Sequence, residues 1–350
     1  QLTTPFSFLV GEGMSGFLST NLFAVHHMLV AGASGGGKSF FVKQLLVGLL
    51  ETSEHLQLYL IDLKKGVELK VFEKLGNVII AKGQVSAVQF LDAVVKEMDR
   101  RFTYLEKNGY TEVNCERDKL DRIVVLVDEA AELYGLVKSS AAIRASAERA
   151  RDLSDRIAKL GRVAAIHLVL ATQKVLKETI DTRIQANVNA RMVFRTQTMA
   201  DSMTVLGSKN AFELPEIKGR GIWSVGSQEF LVQTPKLDHQ EVSLKVASLT
   251  EKFNGSKSPI FGPMLSIQKN KNEKSYTQFD IVDDCPPLQK CLKSKKLENF
   301  ILKEIRKQEG VNVSAEHSGG ASDVNHMCHE FNICLDGLGP VGGNLHTVNE

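Results

Sequence analysis

Three short stretches carry residues whose types and spacing suit phosphate chemistry. The first, Gly32-Ala33-Ser34-Gly35-Gly36-Gly37-Lys38-Ser39, meets the pattern G-x-x-x-x-G-K-[ST] at every fixed position. A triphosphate is a dense polyanion, and backbone N–H groups close round it only where side chains are missing, hence the glycines. A helix starting at this point adds partial positive charge. In that setting Lys38 is expected to reach the β- and γ-phosphates of ATP, and the Ser39 hydroxyl to help hold Mg²⁺. The second stretch is Asp128-Glu129, which closes an apolar run at 123–127. Asp128 is the second expected Mg²⁺ ligand, directly or through water. Glu129 is placed to orient and deprotonate an attacking water. The third is Gln173, at the end of the apolar run 166–172. A neutral amide there can sense the γ-phosphate or orient the water. An ordinary glycine turn has no use for Lys-Ser at this place, so the expected activity is ATP hydrolysis.

These groups need elements to hold them. Residues 28–31 read as a buried strand and 40–50 as a helix, giving strand, glycine loop and helix in that order. Further strands are expected at 56–62, ending in an acid, and at 77–81. Apolar residues recur at helical spacing over 86–107, with Ser86 as cap and Gly109 just past the end. The Met98 and Phe102 of that helix read as core. A polar loop at 108–121 leads into the strand that ends in Asp128-Glu129. Buried parallel strands deliver their C-terminal residues to the ligand crevice of a doubly wound sheet, so both acids should lie near the phosphates. A helix is expected over 139–161, with Ile143, Ala147, Ala150, Leu153, Ile157 and Leu160 as its apolar stripe and Arg144, Arg149, Arg151 and Arg156 mostly solvated. His167 lies inside its strand and reads as packed. A strand at 190–195 and a hairpin at 219–232 close the pattern, and residues 6–25 read as a small strand or hairpin leading into the core. The fold class is α/β, with a mostly parallel central sheet flanked by helices.

Composition narrows the class. At 350 residues the chain is long enough for one large α/β domain and a smaller unit. Lys and Arg number 43 and Asp and Glu 41, a net charge of +2 that argues against a basic coat yet permits a local basic channel. Five cysteines are too few and too scattered for a disulfide framework, so a reducing, cytoplasmic setting is expected. No run of about 18 apolar residues occurs, so any membrane anchor would lie outside this sequence. The chain begins at Gln1 without Met, which suits a piece of a longer protein. Beyond residue 254 a Gly-Ser-Lys-Pro stretch and a Lys-Asn run read as linker, with one helix expected at 297–307 and a poorly structured glycine-rich tail. Cys285, Cys291, His326, Cys328, His329 and Cys334 match none of the usual zinc spacings.

With these residues laid out, the chain from about residue 8 to 238 resembles the FtsK/SpoIIIE family of hexameric DNA translocases. The resemblance runs through His27 to Gly32 into Gly37-Lys38-Ser39, then Ile61-Asp62 with Glu68-Leu69. It continues through Glu97-Met98-Asp99-Arg100-Arg101-Phe102, the strand ending in Asp128-Glu129, and the run ending in Gln173, all in family order. It implies a RecA-like P-loop motor domain over residues 1–245, with 246–350 as an extension of unknown function. It also implies a homo-oligomeric ring, expected to be a hexamer, in which ATP bound by one subunit is completed by the next, with Arg162 as the arginine finger supplied in trans. The implied activity is translocation of double-stranded DNA, in chromosome segregation or mobile-element transfer. A secretion or coupling ATPase of the same superfamily, acting on a protein, is the alternative. Two departures bear on the substrate. Lys174 stands where the family commonly has Arg, which keeps the charge and makes it the expected DNA contact. Met199 and Met203 stand where the family often carries basic residues in a loop thought to face DNA. The tail does not resemble the family's winged-helix module.

Overall fold

A computed structural model describes residues 4–64, 66–135, 141–173 and 182–253. Lys174 and everything expected of residues 254–350, including their cysteines and histidines, lie outside the described residues.

In chain order the elements are β1 (Ser7–Gly13), β2 (Gly16–Asn21), β3 (Met28–Ala31), α1 (Lys38–Thr52), β4 (Leu56–Ile61), a 3₁₀ turn (Lys70–Lys74), β5 (Val78–Ala81), α2 (Gln84–Asn108) and α3 (Cys115–Asp118). They continue with β6 (Arg122–Val127), α4 (Ala130–Tyr134), α5 (Ala141–Leu160), β7 (Ile166–Thr172), α6 (Thr182–Gln185), β8 (Ala190–Phe194), α7 (Met199–Leu206), β9 (Arg220–Val225), β10 (Gln228–Gln233) and α8 (His239–Phe253). All ten strands join one sheet in the order β2-β1-β10-β9-β8-β3-β7-β6-β4-β5. From β8 to β5 every pairing is parallel. The other strands pair antiparallel, and β9 carries that part onto β8.

The parallel strands are apolar along their whole length because both faces are covered. Every residue of β4, β6 and β7 is buried. Alternate residues serve opposite faces, as the two-residue strand period requires. Leu58, Leu60, Val124 and Leu126 pack with Phe41, Leu45 and Leu49 of α1 and with Val242 and Val246 of α8. Tyr59, Ile61, Val125 and Leu168 pack with Leu91, Val94 and Met98 of α2 and with Leu153 and Ile157 of α5. Each such aliphatic side chain stabilises the sheet sandwich by about 1.5–3 kcal/mol.

Local chemistry corrects several sequence expectations. Helix α1 starts at Lys38, two residues before the expected Phe40, so the lysine and serine of the loop are its first turn. Ser86 is not the cap of α2: Gly83 is, and the Ser86 hydroxyl accepts the Gly83 N–H at 3.3 Å and donates to its carbonyl at 2.9 Å. Gly109 ends the helix in the left-handed region as expected, at φ 67°. In α5 the buried stripe is Ala147, Ala150, Leu153 and Ile157, while Ile143 and Leu160 are exposed. Met199 and Met203 sit on helix α7, not a loop. Thr198 caps it: its Oγ1 accepts the Asp201 N–H at 3.1 Å, and its own N–H donates to the Asp201 carboxylate at 3.2 Å.

Candidate active site

Parallel pairing brings the strand ends of interest to one rim of the sheet. Ala31 lies beside Thr172, Leu170 beside Val127, and Val127 beside Ile61. The loop after β3, Gln173 after β7, Asp128-Glu129 after β6 and Asp62 after β4 therefore emerge together. The insertion of β7 between β3 and β6 sets Gln173 between the glycine loop and the two acids.

The loop is shaped by its glycines at two close approaches. Gly32 has φ 140°, and a Cβ there would lie 2.7 Å from Phe194 Cβ. Gly37 has φ 124°, and a Cβ would lie 3.0 Å from the Gly219 backbone. L-residues with side chains avoid this conformation, and neither site has room for one. Lys38 is buried, and its ammonium donates to the Gly32 and Ala33 carbonyls at 2.6 and 2.7 Å. Burial lowers its pKa to about 8, with Lys64 pushing the same way and Glu129 and Asp128 opposing. Those interactions put the lysine within electrostatic reach of both acids. The Ser34 hydroxyl donates to Gln173 Oε1 at 2.5 Å, so the amide joins the loop to β7.

Glu129 is buried and held on β7. Its Oε1 accepts from Thr172 Oγ1 at 2.7 Å and from the Gln173 N–H at 3.1 Å, and its Oε2 lies 3.6 Å from Lys64 Nζ. Asp128 is pushed up to about 6 by burial, then by its neighbours Asp62, Glu68 and Glu129, against Lys64. Asp62 is fully buried and accepts the N–H groups of Lys64, Glu68 and Leu69 at 3.1–3.3 Å. A carboxylate disfavoured in its charged form among other carboxylates suits a hard cation, and the Asp128 carboxylate and Ser39 hydroxyl supply the oxygen donors that Mg²⁺ prefers. Sequence reasoning missed Thr172 as the anchor of Glu129 and Lys64 as its neighbouring cation. The signal for Lys64 was present, since Asp62-Leu63-Lys64 follows a buried strand as Asp128-Glu129 does.

Arg162 lies elsewhere. It is exposed in the turn before β7, near His26, whose pKa is lowered by burial and then by this arginine. The seven residues of β7, about 23 Å at roughly 3.3 Å per residue, lie between it and Gln173. The turn is braced by Arg101, buried at 2% exposure, which donates to the Ala164 and Asp121 carbonyls at 2.8 Å each and to Glu97. Arg149 and Arg156 pair with Asp92 and Asp99 of α2 rather than standing free. His167 is packed as expected: its Nδ1–H donates to the His26 carbonyl at 2.8 Å, and its Nε2 accepts from Arg122 at 2.7 Å.

The parallel sheet, the glycine loop entering α1 and the acids on the neighbouring strand ends define a RecA-like P-loop ATPase domain. Residues 3–122 match the FtsK/SpoIIIE family. The chain is 30% identical over 295 residues to the DNA translocase FtsK of Streptomyces coelicolor, a stretch covering 77% of this chain and 30% of that one. To the DNA translocase FtsK of Mycobacterium tuberculosis it is 29% identical over 303 residues, 79% of this chain and 34% of the relative. Among solved structures, the pCW3 conjugation coupling protein TcpA, a monomer form with ATPγS, superposes with a TM-score of 0.65 at 28% identity, over 70% of this chain and 71% of that one. The cytoplasmic domain of the type VII secretion ATPase EccC of Thermomonospora curvata shares the fold, with a TM-score of 0.60 at 22% identity over 74% of this chain and 32% of that one. Across the ATPase domain the chain is thus similar to the FtsK/SpoIIIE family. The chain spans about a third of the length of these curated relatives.

Proposed function

We propose that this domain hydrolyses ATP with Mg²⁺ and uses the cycle to move double-stranded DNA through a homo-oligomeric ring. One observation carries the hydrolytic part: Lys38, Asp128, Glu129 and Gln173 meet at one rim of the sheet, around a loop shaped by Gly32 and Gly37. Lys38 and the loop N–H groups hold the phosphates. Ser39 and Asp128 would hold Mg²⁺, which would neutralise charge on the phosphates. Glu129 takes the proton of the attacking water, and Gln173 orients that water. Arg162 is too far from its own loop to act there, which supports a role at the nucleotide of a neighbouring subunit. The DNA cargo is supported by the FtsK relatives and by the likeness to a conjugation coupling protein.

A protein cargo is the second reading, and one feature favours it. Met199 and Met203 are both about half exposed on α7, where a DNA-facing surface calls for cations. The deciding measurement is the ATPase rate with and without linear duplex DNA, using Glu129→Gln as the inactive control. Stimulation by duplex supports the translocase reading. Equal rates, with turnover intact, would move the assignment to a protein cargo.

A further inference from the structure

We propose that Lys64 distinguishes a bound triphosphate from a diphosphate: it pairs with the Glu129 carboxylate and exchanges that partner for a γ-phosphate, which frees Glu129 for its water. The inference rests on the ATP-hydrolysing reading of the phosphate loop and adds a second lysine to it.

Glu129 has little acceptor capacity to spare. A carboxylate offers about four lone-pair sites. Oε1 accepts from Thr172 Oγ1 at 2.7 Å and from the Gln173 N–H at 3.1 Å, and Oε2 shares that N–H at 3.2 Å. What remains of Oε2 faces the Lys64 ammonium at 3.6 Å. An attacking water needs the same oxygen, so Lys64 stands where the base must work.

The hold of Lys64 on Glu129 is loose at one end and fixed at the other. Hydrogen bonds from nitrogen to oxygen span about 2.7–3.2 Å, so this pair is joined by charge alone. The ammonium donates no hydrogen bond among the described residues, and the side chain is 36% exposed. Its backbone is pinned. The fully buried Asp62 carboxylate accepts the N–H groups of Lys64, Glu68 and Leu69, and the Asp62 carbonyl accepts that of Gly66 at 3.2 Å. A fixed root with a flexible four-carbon stem lets the charge change partners without disturbing the turn.

The second partner is set by what else the ammonium acts on. Burial lowers the Lys38 pKa and Lys64 adds to that, while on Asp128, which burial raises, Lys64 pushes back. Its charge therefore reaches both the phosphate-binding lysine and the acid expected to hold Mg²⁺, the two groups that flank a γ-phosphate in the proposed site. A terminal phosphate carries about −1.5 to −2 at neutral pH against −1 for Glu129, so at similar distance it attracts the ammonium more strongly. A diphosphate ends at the β-phosphate, within the hold of Lys38, and leaves Lys64 with Glu129.

Calorimetric titration of the full chain with ATPγS and with ADP, both with Mg²⁺, tests this. Lys64→Gln should weaken ATPγS about tenfold or more, as loss of a hydrogen bond to a charged group does, and leave ADP nearly unchanged. Lys38→Ala should weaken both, and Lys64→Arg, which keeps the charge, should retain most of the preference for ATPγS. Exchange of partners also makes the two residues non-additive. Glu129→Gln releases Lys64 and should tighten ATPγS, and that gain should vanish when Lys64→Gln is added. Equal losses for ATPγS and ADP in Lys64→Gln, or a gain from Glu129→Gln that persists without Lys64, overturns the exchange while leaving the ATPase reading standing. If the unmodified chain bound neither nucleotide, both readings would fall.

Discussion

Thr172 Oγ1 donates a 2.7 Å hydrogen bond to the Glu129 carboxylate, joining the ends of two strands 43 residues apart in sequence. The bond fixes one carboxylate oxygen against β7 and leaves Oε2 facing Lys64 and the backbone N–H of Gln173. A general base works only when held within hydrogen-bond reach of its water, so Thr172 is a positioning residue for Glu129. Glu129→Gln should keep ATP binding and lower turnover by about 10²- to 10⁴-fold. Thr172→Val, close in shape and without the hydroxyl, should lower kcat about tenfold with KM unchanged, and Thr172→Ser should restore it. A Val variant with normal kcat would show that the bond only packs the strands.

Asp128 gives the site a pH signature. Its folded pKa of about 6 lies above the ordinary carboxylate value of 3.8, so between these values the folded chain binds more protons than the unfolded one. Stability from this group is therefore full below about 4 and lost as pH rises toward 6. Nucleotide binding with Mg²⁺ runs the other way, because it needs the charged carboxylate. Thermal melts of the unmodified chain and Asp128→Asn at pH 4 to 7 should differ in slope over that window, with the Asn variant flatter. Parallel curves would mean that Asp128 does not carry a raised pKa.

How far the sequence disclosed this arrangement depends on how local each cause is. The phosphate loop is a local backbone requirement, so its residue types announce it, and the buried strands β4, β6 and β7 announce themselves as apolar runs. The hold of Thr172 on Glu129 arises from the register of β6 on β7, which no short stretch encodes. Likewise Arg195 lies beside the phosphate loop because β8 pairs with β3, between residues 162 positions apart. The ends of α5 were misjudged because periodicity identifies the buried face without saying how far its partner reaches, and Ile143 and Leu160 lie outside the packed middle. Helix α7 was legible in principle, since Thr198 followed three residues later by an acid, Asp201, is the pattern of a reciprocal cap.

Arg162 sits in a turn braced by Arg101, and the two positions separate structure from catalysis. Arg101 is buried and shares Glu97 with Arg100, so Arg101→Met keeps one arginine on the carboxylate but strips the Ala164 and Asp121 carbonyls of their donor, and should cost about 1–3 kcal/mol in stability. Arg162 is exposed, so Arg162→Ala should fold normally and lose about 10³- to 10⁵-fold in rate, the range for arginine fingers. Mixing gives the sharper readout. Arg162→Ala and Lys38→Ala chains, each inactive alone, should regain activity together, because some interfaces then pair an intact loop with an intact arginine. Mixtures that co-assemble and stay inactive would count against action in trans.

The cargo question turns on Met199 and Met203. They lie four residues apart on α7, hence on one face, and both are about half exposed. A surface that tracks duplex DNA neutralises phosphates, and binding then falls with salt by about 0.9 logarithmic units per contact. With two methionines on that face the slope should be shallow. Met199→Lys with Met203→Arg should steepen it by up to about 1.8 units and raise DNA stimulation of the ATPase, if α7 faces the cargo. Both substitutions keep good helix formers at exposed positions, so the helix itself should tolerate them. Unchanged slope and stimulation, with assembly intact, would take α7 off the DNA path. Exposed methionines are flexible apolar contacts suited to packing on another protein surface, so that outcome would favour the protein-cargo reading.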